Sequence, residues 1–467
     1  MTRPILGCVV LMALTFGARG DDANRTVVTL EVQPMAAPDP ALRYPLLPEL
    51  RTMNPGNPVL GYLKCFGEQT HFFNHVTEVE NRGKWLKMPL HQLPLNEMGG
   101  YNDRNTPMRQ ADYAARLDTP DWQTLLRMKS EGGYVPVPEL QQMRTLSDAL
   151  LVRWRARLSG RQIDDAVRTA QTTFALSRHI SEYPCAVADL VALQIAKRGF
   201  EELEEMIQQP DCPNFYWSLT DLPSPFIDIR KGLQGERVIT AAEFAAFDTA
   251  APMSAAQLKK VLRQMEQLFE DSEAGAPKAE AGNRPQPAAK AAQKWLEGRA
   301  ADKEFVIAAR KRLVASGLAE EVVEKLPELQ IVLLEMRREY EVQQDDVMKW
   351  HGVPFWKAEA VLLMYTPGRQ WSFDQRAKYA HLMRIAVQLE QRIALLRHVE
   401  ALRLYAAEHG KLPASLADIT VPLPVDPVTG QAFAYEVDGA KATLRSRLPR
   451  RPNQPEHVVQ YEVTLRK

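Results

Sequence analysis

The segment ELQQMRTLSDALLVRWRARLSGRQIDDAVRTAQTTFALSRHI, residues 139–180, has the strongest helical pattern in the chain. Ser159 and Gly160 interrupt this pattern near its middle. After the interruption, apolar residues recur at steps of three and four: Ile163, Val167, Ala170 and Phe174. Such spacing places them on one face of a helix. Because consecutive helices with short connections usually lie antiparallel, the segment predicts a helical hairpin.

Similar apolar stripes continue beyond this hairpin. The next helix is predicted from Leu193, Ala196, Phe200, Leu203 and Ile207. A long last helix over residues 372–408 has a short heptad seam formed by Leu382, Ala386, Leu389, Ile393 and Leu396. The seam fits packing within the chain or a coiled-coil dimer. The predicted fold class is therefore mostly α, either a multi-helix bundle or an irregular α-solenoid. A repeat array is a further alternative, although no second copy of the hairpin follows at a fixed period.

The C-terminal residues 411–467 predict a small α+β unit with an antiparallel sheet of about three strands. Gly410 is placed to end the long helix, because a glycine in the left-handed conformation commonly follows a helix. The segments QAFAYEV and AKATLRS flank Asp438 and Gly439, which suit a two-residue hairpin turn. The segment HVVQYEVTLR supplies the third strand.

The N-terminal segment MTRPILGCVVLMALTFGARG, residues 1–20, has the features of a signal peptide. Arg3 precedes an apolar run of about twelve residues, and small residues follow that run. The run is too short to span a bilayer. Export to the periplasm or the extracellular space is therefore expected, with no transmembrane segment after signal cleavage; an uncleaved anchor is the alternative. Residues 21–58 contain seven prolines between positions 34 and 58 and predict an extended arm.

Composition also divides the rest of the chain. Residues 272–292 contain almost no side chain suited to a core and predict a disordered linker. This linker separates a helical domain at 59–271 from a helical region at 293–410. A chain of 467 residues is long enough for more than one hydrophobic core.

Charge and cysteine content exclude some classes of function. The chain has 58 basic and 58 acidic residues, so it has no net field for attracting nucleic acid. Signal cleavage would remove Cys8 and leave Cys65, Cys185 and Cys212. A predicted helix of about 22 residues would hold Cys185 and Cys212 roughly 33 Å apart, too far for a disulfide. We therefore predict buried, reduced thiols.

Particular segments of the sequence resemble two known protein families. LRLYAAEHGKLPASLADI together with PVDPVTGQAFAY resembles the C-terminal part of the major pseudopilins of type II secretion, over about thirty residues. In that family a membrane-spanning helix precedes this element, whereas the corresponding helix here is charged. A second resemblance covers nearly the whole chain, to a family of exported helical proteins from planctomycete-type bacteria. It depends on four segments in order: YPLLPEL, CPNFYWSLTDLPSPFIDIRKGLQGER, VMKWHGVPF and EALRLYAAEHGKLPASLADI. That resemblance implies a compartment and a layout but no activity.

The first candidate site is HFFNHVTEVE, where helical spacing would place His71, His75 and Glu78 on one face. Two histidines four residues apart can share a metal ion. Here Phe72 replaces the glutamate that follows the first histidine in zinc peptidases. Along a helix Glu78 would lie about 10 Å from His71, too far to share its ion. We therefore expect no metal site, with the two histidines as weak candidates.

The second candidate is the aromatic segment PNFYWSLTDLPSPFIDIR, residues 213–230. In a ligand groove the aromatic rings would form the walls and the charged side chains would orient the ligand. The residues concerned are Phe215, Tyr216, Trp217, Asp221, Asp228 and Arg230. A corner of the core would bury the same rings and pair Asp228 with Arg230 or Arg237 at its edge. The segment MKWHGVPFWKAE, residues 348–359, permits the same two interpretations.

No nucleophile elbow, phosphate loop, dinucleotide-binding glycine motif or paired CxxC occurs in the sequence. No cofactor is therefore expected. The favoured hypothesis is an exported, non-catalytic helical scaffold that binds a protein or envelope partner. One alternative is an exported hydrolase with its site near residues 213–230. Another is a secretion or assembly component that acts through the pseudopilin-like tail.

Overall fold

A computed structural model describes residues 25–101, 106–135, 137–274, 288–362, 364, 376–446 and 458–466. The predicted signal peptide and the centre of the predicted linker, residues 275–287, lie outside these ranges. Residues 272–274 and 288–292, which the sequence assigned to the disordered linker, are helical in the structure. None of the described helices has both the length and the apolar composition that a bilayer crossing requires.

Helices dominate the architecture, as the sequence predicts. The first part of the chain forms α1 (Pro58–Glu68), α2 (Thr70–Asn74), α3 (Val76–Trp85), α4 (Thr106–Ala114), α5 (Leu125–Glu131), α6 (Pro138–Ser159), α7 (Ile163–Ser181), α8 (Ala186–Met206), α9 (Tyr216–Thr220) and α10 (Arg230–Phe244). The second part forms α11 (Ala255–Ala274), α12 (Ala288–Ala301), α13 (Lys303–Ala315), α14 (Glu320–Glu324), α15 (Glu328–Met348), α16 (Phe355–Leu362) and α17 (Arg376–His409). Single turns of 3-10 helix occur at Leu50–Thr52, Leu90–Gln92, Gly99–Tyr101, Gly132–Tyr134 and Leu416–Asp418.

The predicted hairpin is α6 and α7. α6 ends at Ser159 and α7 begins at Ile163, so the break starts at the expected Gly160 and covers residues 160–162. α8 packs on α7 and continues the layer. Gly199 of α8 allows close approach, since a Cβ there would lie 2.7 Å from the Phe174 ring. The rings of Phe174 and Phe200 are 4.6 Å apart between centroids. α8 runs without a break, and the three described cysteines are buried free thiols, as predicted.

A smaller set of helices follows α10. α11, α12 and α15 share one apolar cluster, and α13, α14 and α15 share another. α17 packs against α8, α9, α15 and α16. The apolar seam predicted on α17 therefore contacts helices of the same chain. Leu389, Ile393 and Leu396 of this seam are all buried.

The sequence predicted a sheet of about three strands. Within the described ranges the sheet has four: β1 (Arg25–Val32), β2 (Ala434–Asp438), β3 (Lys441–Arg445) and β4 (Val458–Leu465). Their order is β1-β4-β3-β2. The three predicted strands pair antiparallel, and β1 adds a parallel strand that the sequence analysis counted within the arm. The hairpin turn lies at residues 439–440, one residue later than predicted, with Gly439 at φ +58°. Gly410 ends α17 at φ +68°, as predicted.

α17 connects the arm, the helices and the tail through buried polar groups. Arg403 donates to the Gln33 carbonyl oxygen of the arm at 3.0 Å and to the Cys212 carbonyl oxygen at 2.7 Å. Gln391 donates to Asp426 of the tail at 2.9 Å, and both side chains are buried. Because a buried polar group without a partner is destabilising, these contacts fix the three parts relative to α17.

Candidate functional site

The aromatic segment lies at a corner between α8, α17 and the tail. Phe215, Tyr216 and Phe226 are fully buried, whereas Trp217 is half-buried and packs edge-on to Tyr216 with centroids 5.0 Å apart. The Tyr216 hydroxyl donates to the Pro422 carbonyl oxygen in the tail. Three of the four aromatic rings of this segment are thus packed within the core.

Two carboxylates of α17 hold the backbone of this segment. Glu400 accepts the Phe215 N–H at 2.7 Å, and Glu390 accepts the Phe226 N–H at 2.7 Å. From the other side, Arg178 of α7 donates to the Phe226 carbonyl oxygen at 2.8 Å. Charge-assisted hydrogen bonds of this kind are stronger than neutral ones. The corner therefore has a fixed backbone rather than a loop that could close over a ligand.

Asp228 and Arg230 meet His351 of the second aromatic segment at the edge of this corner. The His351 Nε2 atom lies 3.3 Å from Asp228 Oδ1. The Arg230 Nε and Nη2 atoms each lie 3.3 Å from His351 Nδ1. Because a guanidinium can only donate, Nδ1 is assigned as an acceptor and Nε2 as the protonated nitrogen. The structure thus brings together two segments that the sequence analysis treated separately.

The electrostatics of this cluster favour a neutral imidazole. Burial lowers the pKa of His351, Asp228 opposes that shift, and Arg230 adds to it. A general base needs a free ring nitrogen directed at the proton it removes. Here Nδ1 is occupied by Arg230, and no described Ser, Thr or Cys side chain hydrogen-bonds to His351. The predicted pairing of Asp228 with Arg230 occurs only through the Arg230 backbone N–H, at 2.9 Å.

No family model matches this chain, and neither does any curated protein or solved structure. The two resemblances noted from the sequence therefore remain predictions. What this site can do is therefore inferred from the contacts of its own residues.

The remaining predicted site residues lie apart from this cluster. Asp221 is exposed at the end of α9, and Arg237 pairs with Asp345 at 2.9 Å. His71 and His75 are exposed and their rings stack at 4.3 Å between centroids. The single helix expected to carry them is wrong, because the chain leaves helical geometry at His75 between α2 and α3. In the described part of the chain, His, Cys, Asp and Glu nowhere form a group of three that could hold a metal ion.

Sequence analysis missed one chemical feature, a buried carboxyl at the start of α8. Asp189 is fully buried, and no described residue hydrogen-bonds to either of its carboxyl oxygens. A Cβ at Gly232 of α10 would lie 1.9 Å from Asp189 Oδ2, so α10 packs directly on the carboxyl. Burial, reinforced by nearby Glu236, raises the pKa of Asp189 well above its ordinary value. An Asp in a first helical turn is common, so the sequence gives no signal of this burial.

Another buried acid, Glu243 of α10, should make the stability of the protein depend on pH. Glu243 accepts the Gly133 N–H at 3.2 Å, and burial raises its pKa from 4.5 to about 7. Since the folded pKa exceeds the unfolded one, Glu243 contributes full stability below about pH 4.5, and this contribution is lost as the pH rises through about 7. We expect Glu243→Gln to remove roughly 3 kcal/mol of the decline in unfolding free energy between pH 4.5 and 8.

Urea unfolding across this pH range checks the expectation. Glu97→Gln is the matched control, because Glu97 is exposed. The control profile should follow the wild type. If the Glu243→Gln profile also runs parallel to the wild type, the assignment of the pH dependence to Glu243 is wrong.

Proposed function

We propose that this chain is an exported, non-catalytic helical scaffold that binds a protein partner at the cell envelope. The observation that carries the proposal is the state of His351. Both of its ring nitrogens are engaged, with Asp228 on one side and Arg230 on the other. Asp228, Arg230 and His351 are the residue types that an active site could use, but here their contacts join α10 to the turn after α15.

The polar groups of the aromatic segment support the same proposal. Its backbone is bonded to Glu390 and Glu400, and most of its rings are buried against neighbouring helices. Ligand sites usually present a few polar groups that converge on an open cleft. These groups converge on the protein's own backbone instead, which is the arrangement of a rigid support.

Export is tested by fusing residues 1–24 to a reporter enzyme that is active only outside the cytoplasm. We expect an active fusion, because Arg3 followed by an apolar run directs secretion. Leu11→Arg interrupts the apolar run and should reduce reporter activity at least tenfold. A tenfold loss corresponds to about 1.4 kcal/mol of binding free energy between the segment and the export machinery. Leu11→Val keeps the run apolar and is the control. An inactive parent fusion, or an unaffected Leu11→Arg fusion, would contradict export by this segment.

The hydrolase alternative is favoured by one observation, the contact between Asp228 and His351. Purified wild-type protein and His351→Ala should be compared on p-nitrophenyl esters, phosphates and glycosides. The scaffold proposal expects identical background rates, and it expects a complex of defined size when the wild type is crosslinked in its native cell and purified. Turnover by the wild type that His351→Ala abolishes would overturn the proposal.

A further inference from the structure

The outer edge of β1 has no further strand beside it among the described residues. β1 pairs with β4 on one side, where the Arg466 N–H also donates to the Val32 carbonyl oxygen at 2.8 Å. On the opposite side the Glu31 N–H donates to Gln208 Oε1 at 3.1 Å. Because backbone groups of alternate residues point to opposite edges of a strand, Val27 and Thr29 direct theirs away from β4. No described residue hydrogen-bonds to these outward groups, and both residues are exposed.

A groove of about 410 Å³ runs along this edge, between β1 and the C-terminal half of α8. β1 contributes residues 28–30 to its wall, and α8 contributes Glu201, Glu204 and Glu205. This volume is in the range of ordinary ligand clefts. The groove therefore has a backbone edge on one side and carboxylates on the other.

The described lining of the groove has a net negative charge, with three glutamates and one arginine. Glu201 has 41% of its side chain exposed, whereas its partners Arg392 and Lys197 have 13% and 39%. Glu205 has 36% exposed, whereas its partner Arg155 has 6%. Arg155 and Arg392 are largely buried, so an incoming chain would meet the carboxylates before these two guanidinium groups. Arg466 is 49% exposed and is paired with Glu31. Arg466 is the one basic residue that lines the groove among the described residues.

We propose that an extended segment of a partner protein, with Lys or Arg at alternate positions, adds to β1 as a further strand in this groove. Its backbone would exchange hydrogen bonds with Val27 and Thr29, and its basic side chains on one face would lie against Glu201 and Glu205. Strand addition of this kind takes affinity from main-chain hydrogen bonds and specificity from alternate side chains. The inference rests on the proposed scaffold function and names the class of its partner.

The other edge of the sheet provides a matched comparison. In β2, Val437 lies in the same outward position relative to β3 as Thr29 does relative to β4. Its side chain is 36% exposed. A proline at either position removes one outward N–H without removing a ladder hydrogen bond. Thr29→Pro should therefore impair strand addition, and Val437→Pro should not.

The test uses two fluorescein-labelled peptides, acetyl-TKVKVKT-amide and its acidic counterpart acetyl-TEVEVET-amide, with fluorescence anisotropy as the readout. We expect the basic peptide to bind the full-length protein at least about tenfold more tightly than the acidic one. Thr29→Pro should weaken binding of the basic peptide about tenfold or more, and Val437→Pro should leave it within about twofold. Raising the salt concentration should weaken the binding.

Hydrogen exchange on the wild-type protein gives a readout that needs no variant. Addition of the basic peptide should slow exchange of the Val27 and Thr29 amides and leave that of the Val437 amide unchanged. The proposal is overturned if the basic peptide does not bind, if the acidic peptide binds as well, or if the β1 amides stay unprotected. It is also overturned if concentrated protein protects the same amides without peptide, because a second copy would then occupy the edge. Failure here with an intact crosslinked complex would reject this groove but not the scaffold function.

Discussion

Replacing Arg403 by Met is expected to lower the free energy of unfolding by about 4 kcal/mol, the largest effect of any substitution considered. Arg403 and Glu400 form an ion pair at 2.9 Å, and both side chains are fully buried. Methionine fills similar space but cannot donate a hydrogen bond. Glu400 would then keep a buried carboxylate without its cation, and the carbonyl oxygens of Gln33 and Cys212 would lose their donor.

Urea unfolding followed by circular dichroism measures this loss. Arg51→Met is the control, because Arg51 forms an ion pair with Glu49 at 2.6 Å but has 78% of its side chain exposed. Exposed pairs contribute at most about 1 kcal/mol. If Arg403→Met stays within about 1 kcal/mol of the wild type, the pair does not hold the arm and the 212–215 segment to α17.

Replacing Gly235 by Ala is expected to destabilise the protein by about 3 kcal/mol. A Cβ at Gly235 would lie 1.7 Å from the Pro184 carbonyl oxygen. That oxygen belongs to backbone and cannot move away as a flexible side chain could. α10 would have to separate from the start of α8, where it also supplies the Glu236 carboxylate to the Ala186 N–H at 2.9 Å.

Gly298→Ala is the matched control for this prediction. Gly298 lies in α12, and a Cβ there would meet nothing within 4 Å. Alanine in a helix interior is more favourable than glycine, so this variant should be stabilised by about 0.5 to 1 kcal/mol. Thermal and urea unfolding of both variants provide the comparison. Equal stabilities of the two variants would contradict the close packing of α10 on α8.

The helices could be predicted because their signals are local. The stripes of α6, α7 and α8 lie within single segments, and the glycine at position 410 marks the end of α17. β1 was missed for a different reason. Its sequence RTVVTLEV suits a strand, but its partner β4 lies at the opposite end of the chain. Each segment alone can suggest a strand, but neither shows that the two strands pair across such a separation.

The candidate site also depends on contacts between distant segments, which the sequence does not show. The sequence identified the aromatic segment and the segment around His351, and each was compatible with a groove or a core corner. Only tertiary packing brings Asp228 and Arg230 to His351. Asp189 is the opposite case, since an Asp in a first helical turn is ordinary and its burial depends on Gly232 from another helix.

The buried polar groups of α17 are expected to hold the arm, the helices and the sheet together as one cooperative unit. Native-state hydrogen exchange with mass spectrometry tests it most directly. We expect β4 and α8 to open with the same free energy, within about 1 kcal/mol, and to respond together to added denaturant. Exchange of β1 and β4 through a separate opening of much lower free energy, with α8 still protected, would contradict it.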